Sequence, residues 1–341
     1  MLYPELIKII IINMEQRKFK PFGSVSSLTL GGGGIGNVWG ETSREEAIET
    51  VNLAYNSGIN HFDVAPMYGK GEAEKVLGLA LKDKNLENIK VTTKCRLGNP
   101  KDSEVYKILN NSLCRSLETM QLEKVDLFLL HSQLIEDDFR FFKFDETREA
   151  SGTTLSCYFN AVIPAFEKLK QEGKISHWGI GLGQEEALIK AINSSTPPEA
   201  MQCAVNVLNS IGAIGYVSET NNPNKILKEC QNKEIPILAI RAVQAGALTA
   251  AMDREPNSLG FDEADFKDFE KALPFRKFAD EINENPASLA HRYALSADKV
   301  GSVILGVKNR KELVECIEAE EKGLLDEDVI SKLEKLFKNM E

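Results

Sequence analysis

Apolar runs of strand length alternate with amphipathic helical segments from Leu28 to the end of the chain. The runs are SLTLGGG, INHFDV, IKVTTK, VDLFLLH, HWGIGL, AMQCAV, IPILAI and VGSVILG. Near-continuous apolar strands separated by helices mark βαβ units, because a parallel strand is covered on both faces and reaches its neighbour through a helical crossover. Eight such units in 341 residues predict an α/β protein built as a closed (β/α)8 TIM barrel rather than an open doubly wound sheet. A pair of stacked open sheets would need a linker, and the sequence has no linker composition and no internal repeat. One helix shows its ends in the sequence: Thr42 or Ser43 offers an N-cap before REEAIETVNLAYNSG, and Gly58 a C-cap.

Composition agrees with a large core, at 43% hydrophobic and 27% charged residues. The net charge of −10, with no basic block, makes nucleic acid and anionic membrane surfaces poor partners. Six cysteines stand far apart without a CxxC pair, and only four histidines are available to join them. That pattern argues against a metal site or a disulfide framework and for reduced thiols in a cytoplasmic protein. The apolar stretch Leu6–Ile12 is about a third of the roughly 20 residues a spanning helix needs, and it contains Lys8. Residues 1–13 are expected to be an extension outside the fold, arising from an upstream start codon. Residues 14–341 are expected to form one barrel domain, entered through an N-terminal β-hairpin. Nothing in the chain demands an interface, and a monomer is the expectation.

Two connections are longer than the usual 2–6 residues of such units. One runs from His131 to about Leu155, the other from Asn206 to about Asn221. Both follow strand ends, the face on which barrels carry their active sites, so both are read as loops enclosing a substrate. Surface decoration is the ordinary alternative. Residues 252–284 form a further polar, largely helical insertion.

The polar residues at the strand ends make a short set. Asp63 ends the second run, Tyr68 follows five residues later, Lys94 ends the third and His131 the fourth. Neighbouring strands lie about 5 Å apart, so an acid, a phenol, an amine and an imidazole can share one pocket. Taken singly, each has an ordinary reading: a helix cap, a packing aromatic, a solvated charge, a satisfied polar residue. A barrel has no structural need to collect all four, and together they form a proton-transfer set. A tyrosine of pKa about 10 is a sluggish acid–base group at neutral pH, and a nearby ammonium is expected to lower that value. Lys94 would supply the charge and Asp63 would hold Lys94, while His131 would donate to a carbonyl oxygen. No side chain here supplies an electron pair, so a redox reaction requires a carrier such as a nicotinamide.

The segment GINHFDVAPMYGKGEAEKVLG, residues 58–78, resembles the first signature of the aldo-keto reductases. VTTKCR and VDLFLLH are similar to the segments that carry the lysine and histidine of that family, and the likeness continues through GKISHWGIG, MQCAVNVLN, ILAIRAVQAGAL and VILGVKNRKELVE in family order. The resemblance spans residues from about 20 to 340. It implies an NAD(P)-dependent oxidoreductase that interconverts a carbonyl (aldehyde, ketone or aldose) and an alcohol. Asp63, Tyr68, Lys94 and His131 would be its catalytic tetrad, with Tyr68 as general acid and base.

The resemblance also implies an extended NADP or NAD across the strand ends. Gln202 would anchor the carboxamide. The turn Ile240-Arg241-Ala242 through Gly246 and Leu248 and the turn Leu305-Gly306-Val307-Lys308 would hold the pyrophosphate and the adenosine ribose. The chain departs from the family where Gly181 and Leu182 replace a Ser-Asn pair and where Ile240 replaces an aromatic residue. Glu312 stands where many members place an arginine or glutamine; a carboxylate repels a 2′-phosphate and accepts from a ribose hydroxyl. Lys308 pulls the other way. Mixed or NAD-leaning use is the expectation.

GGGGIG, residues 31–36, contains a GxGxxG string but lacks the acidic partner of a dinucleotide-binding βαβ unit, and is read as a close backbone approach to nicotinamide or substrate. Phe139, Phe141, Phe142 and Phe144 are read as a lid on an apolar pocket, with Trp39 also a candidate for its wall. Two other functions fit the same barrel: an aldolase using Lys94 as a Schiff-base nucleophile, and a non-catalytic, cofactor-sensing regulatory subunit.

Overall fold

The computed structural model of the protein describes residues 14–218 and 222–338. The expected extension over residues 1–13 lies outside the described residues, as does the end of the second long connection, residues 219–221. Strands β1 (Gln16–Phe19) and β2 (Gly23–Ser26) form the expected antiparallel hairpin. Its turn rests on Gly23, whose φ of 73° is costly for any residue with a Cβ. Phe19 and Val25 pack with Leu127, Leu129, Ala200 and Leu238, so the hairpin closes the bottom of the barrel. Gly301 leaves room for the Phe19 ring, since a Cβ there would meet it at 2.4 Å.

Each of the eight apolar runs carries one barrel strand. They are β3 (Leu28–Gly31), β4 (His61–Asp63), β5 (Lys90–Cys95), β6 (Val125–Leu130), β9 (Ile175–Ile180), β10 (Met201–Ala204), β11 (Ile237–Ile240) and β12 (Val300–Leu305). The parallel sheet closes in the order β10-β11-β12-β3-β4-β5-β6-β9. Boundaries differ by a residue or two; β9 starts at Ile175, two residues before the run HWGIGL. Inside the barrel a polar layer is fully satisfied. Thr29 bridges Ser302 (2.6 Å) and His61 Nδ1 (2.8 Å), while His61 Nε2 meets Thr92 at 2.8 Å.

The helix Arg44–Asn56 starts as expected, with the Ser43 hydroxyl accepting from the Glu46 N–H at 3.1 Å. Gly58 follows it at φ 84°. The first long connection contains structure the sequence did not announce: β7 (Gln133–Ile135) and β8 (Gly152–Thr154) pair in parallel beside the barrel. Three-residue strands are too short to show a period. The 252–284 insertion contributes the helices Glu263–Lys271 and Leu273–Glu281.

The glycine run is shaped partly by the last strand. A Cβ on Gly31 would lie 2.3 Å from the Leu305 carbonyl oxygen, and one on Gly34 1.9 Å from that of Val307. Gly31, Gly32 and Gly33 also border the cavity described below, whereas Gly34 is required by protein packing. Among the described residues no helix is long and apolar enough to cross a membrane.

Candidate active site

Strand register brings the four polar residues together. Asp63 on β4 pairs with Thr92 on β5, and Lys94 lies two residues further along β5, so both side chains point to the same side of the sheet. The Lys94 ammonium is buried and makes three contacts: the Asp63 carboxylate, the Val64 carbonyl at 3.0 Å and the Tyr68 phenol oxygen at 3.2 Å. The other Asp63 oxygen accepts from the Gln202 amide at 2.7 Å. Tyr68 and His131 meet edge to face, their ring centroids 5.7 Å apart. Tyr68, His131, Asp63 and Gln202 all border one cavity of about 960 Å³; Lys94 lies behind that wall.

An ammonium has three N–H donors, and Lys94 uses all of them. The Tyr68 oxygen is therefore an acceptor from Lys94, and its own proton points elsewhere, toward the cavity. Burial alone would lower the Lys94 pKa; Asp63 and Tyr68 outweigh it and raise it. Burial raises the Tyr68 pKa and outweighs the opposing pull of Lys94. The expectation that Lys94 lowers this phenol below the ordinary value is thus corrected, because enclosure costs the phenolate more than one ammonium already shared with Asp63 restores. His131 is held well below its usual pKa by burial first and by Lys94 and Arg96 next, so it is neutral with one N–H.

From Tyr68 the cavity runs across the strand ends to Lys308 and Glu312. Ile240, Arg241, Gly246, Leu305, Gly306, Val307, Lys308 and Glu312 border it. Leu248 does not: its side chain is fully buried in a second core with Phe275 and Leu289, a correction explained by the turn through Gly246 that carries it inward. The Arg241 guanidinium is tied to Asp265 and to Gln244 at 2.9 Å, so its role is to hold the turn. Of the four phenylalanines only Phe144 borders the cavity; Phe141 is buried against Tyr216, and Phe142 is 51% exposed. Trp39 does line it.

The sequence reading missed Arg96, Tyr216, Arg254 and Phe261, which also border the cavity. Arg96 carried a usable signal, since it follows Lys94 by two positions. Arg254 carried none: it lies in the insertion and reaches back over the Trp39 ring at 5.8 Å.

The residues present fit an extended nicotinamide dinucleotide. The volume is at the upper end of the range for ligand sites, about 300–1,000 Å³. The turn after β11 brings Val243, Ala245 and Gly246 to the wall of this cavity, with Ala245 and Gly246 at φ of 51° and 95°. Ile240 supplies an apolar floor.

Residues 27–338 match the model of the aldo/keto reductase family. The chain belongs to the aldo/keto reductase family. It is accordingly an NAD(P)-dependent oxidoreductase. It is 25% identical over 321 residues to L-galactose dehydrogenase of Arabidopsis thaliana, covering 92% of this chain and 91% of that one. Among solved structures, the fold matches the holo form of aldo-keto reductase AKR11C1 from Bacillus halodurans with a TM-score of 0.69 at 21% identity, covering 95% of this chain and 96% of that one. It also matches an aldo-keto reductase from Klebsiella pneumoniae in complex with NADPH, with a TM-score of 0.64 at 18% identity and 95% of each chain covered.

Proposed function

We propose that residues 14–341 act as one catalytic unit that reduces a small aldehyde, ketone or open-chain aldose, or oxidises the corresponding alcohol, with Tyr68 as the acid–base residue. The observation that carries this reading is the Tyr68 phenol on the cavity wall with its oxygen 3.2 Å from the Lys94 ammonium. The nicotinamide, when bound, supplies or takes the electron pair. In reduction Tyr68 gives its proton to the carbonyl oxygen, and the phenolate left behind is held by the Lys94 ammonium. Asp63 keeps Lys94 charged and fixed, and Gln202 keeps Asp63 in place through its amide. The neutral His131 donates its N–H to the same carbonyl oxygen and sets its direction. Resemblance to L-galactose dehydrogenase supports a sugar or a similarly small hydroxy-carbonyl compound as substrate.

The contacts of Lys308 support NAD-leaning use. Its ammonium is taken up by Asp253 and by Glu312 at 3.2 Å, and Glu312 also accepts from the Lys308 N–H at 2.8 Å. A 2′-phosphate would have to displace two carboxylates to reach that cation. The Schiff-base reading has no support: Lys94 is charged, buried and off the cavity wall. Six free thiols, with the Cys203 and Cys230 sulfurs sharing a hydrogen bond at 3.9 Å and no disulfide, fit a reducing compartment such as the cytoplasm, and a monomer satisfies every element of the site.

The test is spectrophotometric. NADH and NADPH absorbance is followed with a panel of aldehydes, ketones and aldoses. Substrate-dependent loss with at least one carbonyl compound is expected. No change with any of them, at protein concentrations that bind cofactor, would contradict the reading, and a preference for NADPH over NADH above about a hundredfold in kcat/KM would contradict the cofactor assignment.

A further inference from the structure

We propose that Arg96 binds an anionic group of the substrate, so that the carbonyl compound this site takes carries a carboxylate or a phosphate. The inference rests on the carbonyl chemistry proposed above and narrows its substrate class.

Five basic side chains other than histidine border the cavity: Arg96, Arg241, Arg254, Lys308 and Lys322. Four of them are committed to carboxylates. Arg241 is paired with Asp265, Arg254 with Asp265 at 3.1 Å and Asp262 at 3.7 Å, Lys308 with Asp253 and Glu312, and Lys322 with Glu284 at 2.6 Å. Arg96 has no carboxylate partner among the described residues. Among the described residues its only side-chain hydrogen bond goes from Nη2 to the Ser151 hydroxyl, a neutral acceptor. A guanidinium offers five N–H donors in a planar fork suited to carboxylate or phosphate, so four remain available.

Position adds to chemistry. Arg96 directly follows the end of β5, whose Cys95 carbonyl accepts from the His131 N–H at 2.8 Å, so its backbone is fixed beside the proposed reaction centre. It stands close enough to His131 to help keep that ring neutral. The cavity wall includes the apolar Met67, Phe144, Leu182 and Ile214, and Asp63 on the same wall is already held by Lys94 and Gln202. Arg96 is exposed and stands on the cavity wall without a carboxylate, so an anionic group of a bound substrate can reach its fork. Ser151 holds the fork still, which reduces the entropy lost on binding.

The experiment compares matched substrates with NADH: succinic semialdehyde against butanal for a carboxylate, and glyceraldehyde 3-phosphate against glyceraldehyde for a phosphate. The protein is expected to prefer the anionic member of at least one pair by tenfold or more in kcat/KM, and the preferred pair tells carboxylate from phosphate. Arg96→Gln, which keeps a donor for Ser151, is expected to lower the ratio of kcat/KM on that anionic substrate to kcat/KM on its neutral match at least tenfold; Arg96→Lys retains part of the preference. Binding of succinate and of inorganic phosphate to the NADH-loaded protein, by calorimetry, gives a readout independent of turnover, and Arg96→Gln should weaken the tighter of the two at least tenfold. Equal turnover of both members of each pair, equal loss on neutral and anionic substrates, or anion affinities unchanged by the substitution would overturn the assignment of Arg96. Failure of all four compounds and of the wider carbonyl panel, with anion binding that still depends on Arg96, would instead overturn the carbonyl reading and leave the anion site standing.

Discussion

The Lys94 ammonium donates to the Tyr68 oxygen over 3.2 Å with its last free N–H, and this fixes which way the phenol proton faces. Replacing Lys94 by Met removes both the donor and the charge that holds a phenolate. Turnover is expected to fall by about 10²–10⁴-fold, the range for loss of a general acid–base function, while NADH still quenches the tryptophan fluorescence. Asp63→Asn is expected to give a smaller loss, because Lys94 keeps its place but is less firmly charged. Equal activity of either variant and the parent in a steady-state assay would count against the arrangement.

Because enclosure raises the Tyr68 pKa above its ordinary value of 10.0, the phenol stays protonated through neutral pH. Carbonyl reduction uses that protonated form and is expected to hold a plateau from about pH 6 to 8 and to decline only in the alkaline range. Alcohol oxidation needs the phenolate and is expected to rise with pH over the same span. Opposite pH profiles of kcat/KM for the two directions check this; parallel profiles would place the proton transfer elsewhere.

Glu312 and Lys308 bind each other at 3.2 Å at the border of the cavity, where the proposed function puts the adenosine ribose. Glu312→Arg removes the repelling carboxylate and adds a cation. The ratio of kcat/KM with NADPH to that with NADH is expected to increase by tenfold or more, measured on one fixed aldehyde.

Two buried histidines make the fold sensitive to mild acid. His61 is lowered from 6.5 to about 3 and His291 to about 4, in both cases chiefly by burial. A group with a depressed pKa in the folded state contributes stability that is complete above its unfolded value, near 6.5, and is lost as pH falls toward its folded one. The melting temperature is therefore expected to drop between pH 7 and pH 5. His291→Asn should flatten that slope in a calorimetric series, since its Nδ1 contact to the Ala287 carbonyl at 2.8 Å is one that an amide can replace.

Gly34→Ala would set a methyl group 1.9 Å from the Val307 carbonyl oxygen. The backbone must shift to accept it, at a cost of about 1–3 kcal/mol by the usual scale of overpacking, or more. A lower denaturant midpoint at unchanged slope is expected.

The barrel was legible because its eight strands are long apolar runs whose period and spacing survive in the sequence, and the gathering of Asp63, Tyr68, Lys94 and His131 because all four stand at or just past the ends of neighbouring strands. The parallel pair Gln133–Ile135 and Gly152–Thr154 was not legible, since three residues make no pattern. The misreadings share a cause. Leu248, Phe141 and Phe142 lie in turns and loops, where the direction of a side chain depends on the path of the backbone rather than on its position in a repeat. Arg254 reaches the cavity wall from an insertion, through a contact with Trp39 that spans more than two hundred residues of chain. The height of the Tyr68 pKa was hidden for another reason: it is set by a balance between burial and one shared charge, and only coordinates give the burial.

Tyr68→Phe is the most direct measurement. It removes one oxygen from the site and leaves the ring, its edge contact with His131 and the cofactor groove in place. Carbonyl reduction in single-turnover experiments with bound NADH is expected to slow by about 10²–10⁴-fold, with the NADH dissociation constant unchanged within threefold. A variant that still reduces its carbonyl substrate within tenfold of the parent rate would show that the proton comes from another group.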